Sequence, residues 1–159
     1  MNGAVRIAVH YEPGLEAAAK SAGDCLAKAL PQHRVAVGSV RQVPAAAWDS
    51  ATGLYDVSYL LDALGPQPGG NKTLWLVNRH IGDFWQRQLL GAAGDDRAVV
   101  AAVLPGGGEV AREALHETGH MLGLGHCANH CCMKPSPNAA AVRDKPEDFC
   151  PECRARLAR

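Results

Sequence analysis

HETGHMLGLGHCANHCCM, residues 116–133, holds four of the chain's seven histidines and three of its six cysteines. The run EVAREALHETGHMLGL (109–124) is rich in helix formers and carries His116 and His120 four residues apart. That spacing puts both imidazoles on one helix face, one turn apart, where both can reach a single metal ion. Glu117 stands beside the first of them, close enough to take a proton from metal-bound water without being a ligand. Gly123 can adopt the left-handed conformation that ends a helix, and the turn it permits swings His126 back as a third ligand. Three protein ligands leave the fourth tetrahedral position open, which is the catalytic rather than the closed structural arrangement of zinc. The alternative, surface histidines with accidental spacing, is a poor account of five fixed residues of which three are histidine.

The cysteines form a second cluster. Cys150 and Cys153 make a C-x-x-C pair, and Cys127 pairs with either Cys131, three residues between, or Cys132, four between. Two close pairs joined by a longer loop are what a tetrahedral all-thiolate zinc site needs, and such a site is structural. It would tie the chain after the catalytic helix to the C-terminus and contribute folding free energy. A redox C-x-x-C is one competitor, but that motif normally sits beside a strand at a helix start. Disulfides are the other. The N-terminal MNGAVRIAVHYEPG has a short apolar run broken by Arg6 and no cleavage pattern, and no stretch reaches the length of a membrane span. The expectation is therefore a cytoplasmic protein, where disulfides are rare. His130 is a minor alternative ligand, and Cys25, on a predicted helix, reads as a buried thiol.

Outward from these clusters the chain alternates strand and helix. VRIAVH (5–10) reads as a buried strand, residues 15–30 as a helix stopped by Pro31, and RVAVGSV (34–40) as a second strand, a β-α-β unit with a parallel pair. A short helix follows over 57–64, a loop over 65–71 and a strand over 73–78. Residues 80–91 are ambiguous between helix and irregular structure. RAVVAAVLP (97–105) reads as a strand, and RARLAR (154–159) as the solvated end of a short helix after the cysteine pair. No repeat or domain boundary is visible, so the expectation is one α/β domain over 1–159 with a mixed twisted sheet, a zinc helix at 109–124 and a zinc-stapled segment at 126–159. Acidic and basic residues balance at 16 each, so bulk charge points to neither nucleic acid nor a membrane surface as partner.

At His116, Glu117, His120, Gly123 and His126 the sequence resembles the long zinc motif of the metzincin metallopeptidases. With Cys127 directly after the third histidine, Cys131 in a Cys-x-Met with Met133, and Cys150 with Cys153 beyond, it resembles one family of them, the archaemetzincins, over about 109–157. The resemblance implies a compact metzincin-like fold, a methionine turn at Met133, two zinc ions, a peptide substrate and a monomer. It favours Cys131 over Cys132, because Cys131 keeps the Cys-x-Met register. It also implies that an extended peptide lies along an edge strand above the zinc, for which RAVVAAVLP is the candidate, with an ordinary core strand as the equal alternative. There are departures. The Cys127–Cys131 spacing is one residue shorter than usual, KPSPN (134–138) replaces the customary Phe-Ser-Asn stretch, and no tyrosine follows Met133. The function expected is a zinc metallopeptidase with Glu117 as general base. A zinc-stabilised binding module without efficient chemistry, or a zinc hydrolase of a non-peptide amide, would use the same residues.

Overall fold

Short β-branched runs set up the central sheet. In the computed structural model, which describes residues 3–85, 87–104 and 106–159, β1 (Arg6–Tyr11) leads through α1 (Glu16–Ala29) to β2 (Arg34–Val40), and the two strands pair in parallel. β5 (Lys72–Val77) joins β1 on its other side, and β9 (Arg97–Ala101) joins β5, both in parallel. A fifth strand, β8 (Gly91–Ala93), folds back antiparallel on β9, so the order is β2-β1-β5-β9-β8.

Strands buried on both faces read as continuous apolar runs, and KTLWLV does. Leu74 and Leu76 face one core with Ile7, Val9, Ala98 and Val100, while Trp75 and Val77 face a second with Val99 and Ala101. This is the period of two expected of a strand. The first core is covered by α1 and α3 (Gly107–Met121). The second is covered by α2 (Val57–Leu64), whose N-terminus is capped by the Asp56 carboxylate accepting from the Ser58 and Tyr59 N–H groups. Full burial of each of these aliphatic side chains contributes about 1.5–3 kcal/mol.

Two open readings are resolved. The described residues of 80–91, which leave out Gln86, form no helix. They contribute β6 (Ile81–Gly82) and β7 (Gln88–Leu89), which with β3 (Trp48–Asp49) and β4 (Leu54–Asp56) make a small second sheet, and then lead into β8. The strand expected over 97–105, of which Pro105 lies outside the described residues, is observed as Arg97–Ala101 and lies inside the sheet, between β5 and β8. It is a core strand, and the edge beside the histidines is β8. The chain ends in two short helices, α4 (Ala139–Arg143) and α5 (Pro151–Leu157). Among the described residues no helix is long and apolar enough to cross a membrane.

Candidate metal centre

The zinc-motif helix α3 ends at Met121, a turn earlier than the sequence suggests, because the glycine after it closes the helix. Gly123 has φ +93°, its N–H donates to the His120 carbonyl at 2.9 Å, and the Leu124 N–H donates to the Gly119 carbonyl at 2.9 Å. This pair of bonds is the Schellman closure. It has two consequences for the site. The chain reverses, bringing His126 over the helix, and the Leu124 carbonyl is left 2.8 Å from His120 Nδ1. His116 Nδ1 is likewise 2.8 Å from the Cys132 carbonyl. With both Nδ1 atoms donating to carbonyls, both Nε2 atoms are left as lone-pair donors facing one point.

The geometry at that point suits a tetrahedral ion. The three imidazole rings have centroids 4.7 to 5.4 Å apart, and one ring nitrogen from each lies within 4.8 Å of the others. His116 Nε2 and His120 Nε2 are 3.1 Å apart, near the ~3.3 Å that two tetrahedral ligands at zinc–nitrogen distance require. Burial drives the pKa of His116 down to about 3, with Lys145 adding to the effect, so its imidazole is neutral and free to coordinate.

Glu117 is buried on the same helix face and shares the cleft with the histidines. Burial raises its pKa well above the usual carboxylate range, and the neighbouring carboxyl of Glu113, one turn earlier, raises it further. Glu113 is raised too, by burial first, and no donor reaches its Oε2. A divalent cation beside these groups acts in the opposite sense and favours the ionised Glu117. Lys145 is buried with them. Its Nζ donates to the Lys134 carbonyl at 2.9 Å and lies 3.1 Å from His116 Nδ1. Sequence reasoning missed both groups. Glu113 was detectable, since it stands four residues before Glu117 on the same helix face. Lys145 carries no spacing signal.

The cleft has a volume of about 1040 Å³. Its floor is Glu113, His116, Glu117 and His120, one wall is Leu90 to Gly94 including β8, and the other is the segment from Pro135 to Ala139. An unpaired strand edge along one wall offers backbone donors and acceptors to an extended chain.

Behind the cleft, Sγ atoms of Cys127, Cys131, Cys150 and Cys153 lie within 4.8 Å of one another, and those of Cys127 and Cys150 are 3.8 Å apart. A tetrahedral zinc–thiolate site has sulfur–sulfur separations of about 3.8 Å. Cys131 Sγ accepts the Met133 N–H at 3.4 Å and the Cys150 N–H at 3.3 Å. The Cys153 N–H and the Asn129 side chain pull the Cys150 pKa down to about 6, toward thiolate. Such N–H to sulfur contacts suit a charged ligand. Cys132 is outside the cluster; burial raises its thiol pKa, and its carbonyl serves His116. His130 is exposed and belongs to neither cluster. All six cysteines are free thiols, and burial pushes Cys25 up to about 11.

Met133 sits fully buried beneath the helix, and Gly119 makes room for it. A Cβ at 119 would run into Met133 Sδ and come within 3.2 Å of the Phe149 ring. Gly119→Ala is therefore expected to destabilise the protein by about 1–3 kcal/mol through overpacking. Equilibrium denaturation of the variant against the parent measures this, and an unchanged midpoint would show that Met133 yields freely.

Comparison with known proteins agrees with this geometry. The model of Peptidase family M54 matches residues 108–159. The archaemetzincin of Nanoarchaeum equitans is 28% identical over 113 residues, 70% of this chain and 66% of that protein, just under two thirds of its length. The archaemetzincin of Halobacterium salinarum is 29% identical over 168 residues, 92% of this chain and 91% of that one. Among solved structures, archaemetzincin from Archaeoglobus fulgidus in complex with malonate superposes with a TM-score of 0.86 at 25% identity, covering 96% of this chain and 99% of that one.

Proposed function

The chain belongs to the archaemetzincin family of zinc metallopeptidases, and from that premise we propose that it hydrolyses peptide bonds, with Glu117 as general base and His116, His120 and His126 as the ligands of a catalytic zinc. The observation that carries the proposal is the convergence of three imidazole nitrogens with a buried carboxyl on the floor of a cleft walled by an open strand edge. Zinc bound there supplies Lewis acidity, polarising a carbonyl and lowering the pKa of a coordinated water to about 7. The chain's own residues do the rest. β8 pairs with an extended peptide and fixes its register. Glu117 accepts the proton of the attacking water and delivers it to the departing amine. The Cys132 and Leu124 carbonyls hold two imidazoles in the required tautomer and orientation. No tyrosine follows Met133, so a hydroxyl that assists the oxyanion would come from upstream.

The finer assignments belong to the same proposal. A second, structural zinc is bound by Cys127, Cys131, Cys150 and Cys153, and residues 1–159 act as one metallopeptidase domain. The free thiols suit a reducing, cytoplasmic setting. Every proposed ligand comes from one chain, so a monomer suffices, and neither nucleic acid nor a membrane is called for.

Digestion of a mixed peptide library followed by mass spectrometry tests the activity. New peptide termini are expected with the zinc-loaded protein and none with the metal-free one. A zinc-loaded protein that cleaves nothing would overturn the peptidase assignment and favour the binding module.

A further inference from the structure

We propose that Gly91 is a positioning residue for Glu117, its bare Cα leaving the space in which the Glu117 carboxyl stands. The inference deepens the peptidase proposal and rests on it. A Cβ built at position 91 would fall 2.8 Å from Glu117 Cγ, 2.8 Å from Oε1 and 3.1 Å from Cδ, and these are its three nearest heavy atoms. Backbone conformation does not explain the glycine. Gly91 is absent from the residues with positive φ and sits in an ordinary antiparallel ladder opposite Val100. Any residue adopts that conformation, so the missing side chain answers to Glu117 rather than to a turn.

Two parts could give way if the space were filled. Strand β8 is laddered to β9, and the Ala101 N–H also donates to the Leu90 carbonyl at 2.9 Å. Moving the strand breaks those bonds. The Glu117 side chain rotates about three single bonds, so it is the part that moves. The carboxyl is therefore pushed off its place while the helix backbone, His116 and His120 stay. A misplacement of about 1 Å in a reacting group costs on the order of 100-fold in rate. The edge strand thereby acts twice, through its backbone on an extended peptide and through an absent side chain on the base.

Gly91→Ala tests this. In the zinc-loaded variant kcat is expected to fall roughly 100-fold, with KM, zinc content and Tm close to those of the parent. Adding Gly91→Ala to Glu117→Gln should lower kcat no further, because the residues act through one group. A crystal structure of zinc-loaded Gly91→Ala gives a readout independent of activity: the Glu117 carboxyl displaced by about 1 Å or more, with both helix histidines in place. Glu117 unmoved, or β8 displaced instead, would overturn the inference whether or not the parent cleaves peptides. If Gly91→Ala folds poorly, Gly91→Ala combined with Glu117→Ala decides. Recovery of Tm in the pair supports the conflict with Glu117, and persistent loss overturns it.

Discussion

Replacing Glu117 with Gln is expected to lower kcat about 100- to 10,000-fold, the range contributed by a positioned general acid–base group, with KM and zinc content near those of the parent. The amide occupies the same volume and keeps one oxygen, so it preserves packing in a buried site while removing the ability to carry a proton. The three proposed imidazole ligands are untouched, and the two on the helix take their orientation from the Cys132 and Leu124 carbonyls, not from Glu117. Zinc analysis together with steady-state kinetics on the same sample checks the two halves separately. Equal rates in variant and parent would remove Glu117 from the reaction. A variant that has lost its catalytic zinc would instead make Glu117 part of the metal cage.

The second large effect concerns stability. Cys131→Ser is expected to lower bound zinc below the two ions per chain of the proposal and to unfold the segment from 127 onward at ordinary temperature. The serine hydroxyl is not ionised at neutral pH and would sit where Cys131 Sγ now accepts the N–H groups of Met133 and Cys150. Structural zinc sites in finger peptides are worth about 10–16 kcal/mol at pH 7. That equals or exceeds the ~5–15 kcal/mol of net stability of a typical domain. Cys132→Ser is the matched comparison, because its side chain lies outside the cluster. It should keep both ions and lose only the cost of placing a hydroxyl in an apolar site, about 1–3 kcal/mol. Metal stoichiometry and thermal unfolding of the two variants provide the test. Two ions retained by Cys131→Ser would transfer the fourth thiolate role elsewhere.

What the sequence disclosed follows locality. The spacing of His116, Glu117 and His120 is a property of a single helix turn, and Gly123 announces the turn that recruits His126, so these residues could be read without any tertiary information. The parallel pairing of β1 and β2 was legible for a similar reason: a β-α-β unit with a crossover helix has few alternatives. Edge status was not legible. RAVVA is a better strand by composition than GAA, yet β8 is the edge and β9 lies inside, because edge position depends on what pairs with a strand and not on its own residues. The two- and three-residue strands of the second sheet were invisible because runs that short establish no period. Lys145 reaches His116 across 29 positions of sequence through α4 and the loops around it, a contact that only the packed chain creates.

His126 and Cys127 are neighbours in the chain, one turned toward the imidazole cluster and the other toward the sulfur cluster. A single peptide unit thus spans two cages. Under the two-zinc proposal, an ion held by the thiolates would immobilise the residue from which the third imidazole hangs, so part of the ordering entropy of the open cage would already be lost when its own ion binds. Each ion would raise the affinity for the other, and by reciprocity stripping the sulfur cage would loosen the imidazole cage without touching a histidine.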